Sequence, residues 1–335
     1  MAATLVLGSA VKSSSRYLMY RVLGHLLLML SAVKLLAMAV SIIYNESSFW
    51  VFLGSAVFTA SLGYTLVYKG RDAKDIKHRQ LFLLTTLSWL ALCVFSAIPL
   101  WLIVPNCTLT DAVFETVSAV TTTGSTVFAG LDNMPKGVLF WRAVLNWMGG
   151  IGIIVMAIAI LPALKIGGMR LFKTENSDTS DKILPRSSTL SAAIGFVYLV
   201  LTACTMTTYY LAGMTGFDAI THAMTTVATG GFANYDSSFG IYKDSPQIFW
   251  FSSFFMMLAA MPFVLFVSLA KGDKTSLWRD PQVRTFVAIV LFCSVLLTVY
   301  QVVHNDRAVF DALTHSLFNV VSIICLLYTS PSPRD

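Results

Sequence analysis

TDAVFETVSAVTTTGSTV, residues 110–127, joins a half-length helix to a stretch unsuited to helix. Thr110 to Val120 would be about 16 Å long as a helix, roughly half the hydrocarbon thickness of a bilayer. Such a segment can enter a membrane and turn back, but it cannot cross. Thr121 to Val127 then gathers β-branched residues around Gly124, a composition that favours extended backbone. Non-helical backbone at membrane depth survives only where protein buries it or where it lines a wet cavity.

The pattern recurs. FDAITHAMTTVA, 217–228, is followed by TGGF, 229–232, which places Gly230 106 residues after Gly124. A third copy starts with FDALTHSLFNVVSII, 310–324, whose opening echoes FDAITH. The chain is therefore organised by a repeat of about one hundred residues, each unit holding a span, a half-helix, a glycine-bearing strand and a second span.

The composition around these segments fits a bilayer. Of 335 residues, 56% are hydrophobic and only 12% charged, and the mean hydropathy is +0.73. A soluble protein carries about 25% charge. The net charge of +6 is too thinly spread for the dense basic stripe that nucleic acid requires, so no nucleic-acid partner is expected. The five cysteines form no CxxC pair, and no disulfide framework or metal site follows. The start of the chain lacks the ordered features of a cleaved signal peptide.

Windows of about 20 residues predict seven spans: Tyr17 to Tyr44, Phe49 to Tyr68, Leu81 to Val104, Gly137 to Leu164, Ser191 to Leu211, Gln247 to Leu269 and Val283 to Val303. Basic residues crowd alternate connections: Lys69 to Arg79, Lys165 to Arg186 and Lys271 to Arg284. By the positive-inside rule these are cytoplasmic, which puts the N-terminus inside and the half-helices on the outer side. Phe172 to Ser188 reads as a flexible cytoplasmic linker.

A re-entrant helix aims its partly negative C-terminal end at the membrane centre, where it favours a cation. The strand after it offers carbonyls that can replace an ion's hydration shell. Asp111, Asp132, Asp218, Asp236, Asp244, Asp306 and Asp311 outweigh Lys136, Lys243 and Arg307 in the outer loops, an acidic vestibule that would concentrate cations. His222 and His315 each follow an aspartate by four residues, Asp218 and Asp311, a spacing that allows contact along a helix and orientation of the half-helix. Lys34 and Arg142 are charges inside predicted spans; a functional role is the alternative to the expectation that Arg142 snorkels or pairs at its outer interface and that Lys34 does something similar across a protein groove. GGIGIIVMAIAI, 149–160, follows no strand, so its glycines serve helix packing rather than a dinucleotide. An intramembrane hydrolase using Ser125 and His222 is the competing chemistry, and it leaves the repeat unexplained.

VSAVTTTGSTV at 117–127, FWRAVLNWMGGIGIIVMAIAILP at 140–162 and TTVATGGFANYDSSFG at 225–240 resemble the Trk-type potassium uptake proteins, the TrkH and TrkG family, from about Tyr17 to Ile324. The resemblance implies an all-α multi-pass membrane protein, with span, pore-helix, span units folded around one potassium-selective pore and two extra N-terminal helices. On that frame residues 17–68 form the N-terminal unit, 81–165 and 190–271 the first two pore repeats, and 283–324 a partial third. The ion would meet the backbone of Thr121, Thr122, Thr123 and Gly124, and of Ala228, Thr229, Gly230 and Gly231, with potassium at Thr122, Thr123, Ala228 and Thr229. The family further implies a transporter rather than an enzyme, no cofactor beyond potassium as the transported ion, lipid surroundings in the bacterial inner membrane, a homodimer and a cytosolic nucleotide-binding regulatory subunit.

The end of the chain departs from that pattern. Aligning Phe114 to Gly124 with Phe318 to Tyr328 puts Cys325, Leu326, Leu327 and Tyr328 where TTTG is expected. Residues 325–335 therefore read as foreign to the family, and a fourth repeat is missing. As written, the chain is expected to be inactive alone, which leaves a non-transporting fragment as the alternative to a pore subunit.

Overall fold

The computed structural model describes the backbone of residues 2–71, 78–164 and 187–325, and side chains within 17–71, 83–152 and 189–325. The linker residues 172–186 and the last ten residues fall outside these ranges. Among the described residues the regular structure is helical throughout. In chain order the helices are α1 (Ala2–Ile43), α2 (Phe49–Lys69), α3 (His78–Ile103), α4 (Leu109–Val120), α5 (Lys136–Leu164), α6 (Ser187–Leu211), α7 (Gly216–Val227), α8 (Pro246–Ala259), α9 (Phe263–Ala270), α10 (Ser276–Arg279), α11 (Pro281–Asn305) and α12 (Val309–Ile324).

Among the described residues five of these are long and apolar enough to cross a membrane, and the 29-residue α5 joins them by length. The predicted sixth span is not one helix. α8 and α9 are bent by 90° across Ala260–Pro262. Proline at 262 has no N–H to donate and drives Met261 away from helical backbone, so the i→i−4 ladder cannot run through.

The chain forms two compact units. In the first, chiefly the residues up to Val120 with Asn133–Arg142, α1 and α2 approach until a Cβ on Gly24 would stand 2.7 Å from the carbonyl oxygen of Gly63. Lys34 is fully buried at this contact. Its Nζ donates to Thr59 Oγ1 (2.8 Å), the Phe95 carbonyl (2.9 Å) and the Ser55 carbonyl (3.3 Å), tying α1 to α2 and α3. The Glu46 carboxylate accepts the N–H groups of Lys136 and Gly137, a negative charge where the free amides of the α5 N-terminus need one. Trp141 Nε1 donates to the Ser96 carbonyl (3.1 Å), and Thr116 Oγ1 to that of Cys93 (3.0 Å), which docks α4 on α3.

The second unit is chiefly Thr121–Asp132, Ala143–Ala159 and the chain from Ser187 on. Its core is aromatic: Phe239 stacks on Phe318 with ring centroids 5.3 Å apart, and Phe249 meets Phe318 at 4.6 Å. A smaller cluster joins Ile194, Tyr198, Val227, Phe263 and Val267.

Candidate functional site

The two half-helices match in length, 12 residues each, and start alike. Thr108 N donates to Asp111 Oδ2 (2.9 Å) while Asp111 N donates to Thr108 Oγ1 (3.2 Å). Asp218 N donates to Thr215 Oγ1 (3.1 Å), whose hydroxyl donates to Asp218 Oδ2 (2.7 Å). The signature T-x-x-D, which stabilises a helix start by about 1 kcal/mol, lies in the sequence at both places.

Beyond each helix the chain takes the same backbone path. Thr122 (φ 56°) and Gly124 (φ 77°) are left-handed in the first segment, Thr229 (φ 53°) and Gly231 (φ 77°) in the second, while the residues between them are not. Threonine is strained there and glycine is not, which explains a glycine at 124 and 231. Alternation of handedness turns successive carbonyls to one side and successive N–H groups to the other. The offset is 107 residues, 229 less 122, and helix starts and ends share it. This corrects the sequence register by one: Gly124 corresponds to Gly231, and Thr123 to Gly230.

All eight predicted residues lie in the second unit, and its two segments meet. A Cβ on Gly124 would overlap the carbonyl oxygen of Gly230. The hydroxyls of Thr121 and Thr123 are 2.8 Å apart, and Thr229 Oγ1 donates to the Ala228 carbonyl (2.7 Å). Gly230 N donates to the Thr225 carbonyl (3.0 Å), fixing the second segment to the end of α7. A cavity of about 490 Å³ opens beside the helix-proximal residues, lined by Thr122, Ala228, Thr229, Tyr198, Met261 and Phe263 among others.

The stretches after the segments are braced by carboxylates. Asp236 accepts the N–H groups of Gly130 (3.0 Å) and Leu131 (3.1 Å), and Asp132 accepts that of Asp236 (3.2 Å). Asp218 is 2% exposed and accepts Asn234 Nδ2 (2.7 Å) and the Tyr235 hydroxyl (2.9 Å). It is a buried brace, not a vestibule charge as the sequence suggests. Burial opposes its ionisation, but hydrogen bonds from Thr215 and Asn234, the His222 charge and the Tyr235 hydroxyl outweigh that and hold its carboxyl below the usual range. The Tyr235 phenol is pushed up to about 12 by desolvation and by Asp218, so it stays a donor.

His222 Nδ1 lies 2.9 Å from the backbone carbonyl of Asp218, so the predicted i,i+4 contact forms through the main chain. Its ring is fully buried against Tyr235, Phe239 and Tyr242, whereas Ser125 is exposed. An imidazole so enclosed is not open to a substrate. His315 meets Phe249 edge-on at 5.3 Å. Arg142 does not snorkel but pairs: it is 1% exposed and its Nε meets Glu115 Oε1 at 2.7 Å within the first unit. Glu115, the carboxylate braces at 132 and 236, and Asn146, fully buried near Gly230, carry no periodic signal in the sequence.

Comparison with known proteins gives one consistent result. A family model described as "TrkH: Cation transport protein" matches residues 48–324. The chain is 43% identical over 305 residues to the Trk system potassium uptake protein TrkI of Halomonas elongata, covering 91% of this chain and 62% of that protein. With TrkH of Vibrio parahaemolyticus it shares 38% identity over 315 residues, 90% of this chain and 64% of the other. The crystal structure of the potassium transporter TrkH from Vibrio parahaemolyticus superposes with a TM-score of 0.81 at 35% identity, over 92% of this chain and 64% of that one. The chain thus spans somewhat under two thirds of the length of the curated relatives it matches, and its fold is that of a multi-pass membrane protein.

Proposed function

Because the chain belongs to the TrkH family of cation transport proteins, we propose that it is the pore-forming part of a potassium uptake subunit. The observation that carries this reading is the pair of matched segments, Thr121–Gly124 and Ala228–Gly231, with the same alternation of left-handed backbone. Their carbonyls stand in for the hydration shell of potassium, and the α4 and α7 dipoles, negative at Val120 and Val227, favour the cation as it enters. In this reading potassium meets the backbone of Thr121 to Gly124 and of Ala228 to Gly231, with Thr122 equivalent to Thr229 in the repeat.

The basic connections place the N-terminus in the cytoplasm of a cell whose inner membrane holds the protein. The N-terminal two-helix unit at 17–68, the pore repeats at 81–165 and 190–271 and the partial third repeat at 283–324 are its functional divisions. The family resemblance adds a homodimer and a cytosolic nucleotide-binding regulatory subunit as partners.

The test is growth of a potassium-transport-deficient bacterium at limiting potassium, with the full-length gene product expressed. Growth and rubidium uptake are expected for the wild type and for Ser125→Ala, because a pore built from carbonyls does not need that hydroxyl. Wild-type protein that accumulates in the membrane without supporting uptake would sink the proposal.

A further inference from the structure

Asn146 on α5 is fully buried, and among the described residues neither its carboxamide nitrogen nor its oxygen has a hydrogen-bond partner. A buried amide with both ends unpaired is destabilising, and leucine would fill the same volume without that cost. Packing alone therefore does not account for it.

Its location does. A Cβ on Gly230 would overlap Cγ, Oδ1 and Nδ2 of Asn146, so the carboxamide rests directly against the Cα of Gly230. Gly230 separates the left-handed residues Thr229 and Gly231, and its carbonyl oxygen is the atom that faces Gly124. The Gly230 N–H is already given to the Thr225 carbonyl (3.0 Å), so the amide is not there to satisfy it. Only glycine at 230 lets the carboxamide come so close, and its unpaired donor and acceptor, among the described residues, lie against the residue whose carbonyl faces Gly124.

We propose that Asn146 is a positioning residue for the second ion-coordinating segment, its carboxamide forming a polar wall that fixes how far the Gly230 carbonyl stands from Gly124. That spacing determines how well the carbonyls replace the water around potassium rather than around the smaller sodium. The inference rests on the potassium reading above.

The experiment compares wild type and Asn146→Leu in the full-length gene product, measuring rubidium uptake and its inhibition by sodium, with membrane level and detergent gel-filtration profile as the check on folding. With the wall made apolar, the preference for potassium over sodium is expected to fall by about tenfold, with the apparent KM for rubidium rising more than the maximal rate falls. A folded variant whose preference stays within about twofold of wild type overturns the inference, since a merely structural amide would change stability and not selectivity. If the leucine variant does not accumulate, Asn146→Ala, which adds no atoms, is read by the same criterion. A wild type without uptake brings down the potassium reading itself, which is a different result from an active wild type with an indifferent variant.

Discussion

Glu115 Oε1 and Arg142 Nε lie 2.7 Å apart with the side chains 0% and 1% exposed, an ion pair sealed between the first half-helix and the start of α5. Removing one member of such a pair leaves a buried charge unmatched, at a cost of about 3–5 kcal/mol. Arg142→Met and Glu115→Gln are expected to lower the thermal midpoint of the detergent-solubilised protein sharply. The double variant Glu115→Leu, Arg142→Met should lie closer to wild type than Arg142→Met alone. A single variant as stable as wild type would mean the pair carries little of the fold.

Lys34 poses the opposite case. Among the described residues its ammonium meets a hydroxyl and two carbonyls and no carboxylate. Burying an ammonium that no carboxylate neutralises costs several kcal/mol, a penalty that an apolar side chain of similar length does not incur. Lys34→Met is therefore expected to raise the thermal midpoint, while Lys34→Glu lowers it. A lower midpoint for the methionine variant would show that the three acceptors depend on the lysine.

The one-residue shift in register can be tested at the two left-handed glycines. Gly124→Ala and Gly231→Ala place a Cβ where φ is 77°, a strain of about 1–2 kcal/mol. At Gly124 the new atom also meets the Gly230 carbonyl. Both variants are expected to reach the membrane at near wild-type level and to lose rubidium uptake by more than about tenfold. Full uptake by Gly231→Ala would return the equivalence to Gly230.

Acid should loosen the second unit through Asp218. Its carboxyl is held below the usual carboxylate range, so its contribution is fully present above the unfolded value of about 3.9 and disappears as pH falls through the lower folded value. The thermal midpoint should therefore drop below about pH 4 in the wild type. Asp218→Asn should lower the midpoint at neutral pH and flatten that acid limb. An unchanged limb in the variant would assign it to another group.

The half-helices were legible because length is decisive: a segment from Thr110 to Val120 is too short to cross, and α4 ends at Val120 as the pattern implies. The glycine register was not, because Gly230 and Gly231 are adjacent and only the sign of φ tells which one is left-handed. Pro262 was visible inside the sixth apolar run and marks the break, yet a run of hydropathy carries no angle, and the 90° bend is seen only in the structure. Arg142 was read as snorkelling or paired with no partner named, for a different reason. Its partner lies 27 residues away on another element, a distance that no helical periodicity encodes. Asn146 left no trace at all, since a polar residue in an apolar helix says nothing of which backbone it touches.

The break at Ala260–Pro262 also bears on how voltage acts on this protein. α8 has 14 residues, about 21 Å, against a hydrocarbon core of about 30 Å. The cavity of about 490 Å³ that Ala259, Ala260, Met261 and Pro262 help to line has room for about a dozen waters, and a chamber filled with water and joined to solution is nearly equipotential with it. For an ion on the proposed path, the membrane potential, worth about 2.3 kcal/mol per charge for each 100 mV, is then spent almost wholly across the few residues of the two carbonyl segments. The driving force is focused on the step where the ion sheds its water, so uptake should respond to the membrane voltage as a single short barrier rather than as a long channel.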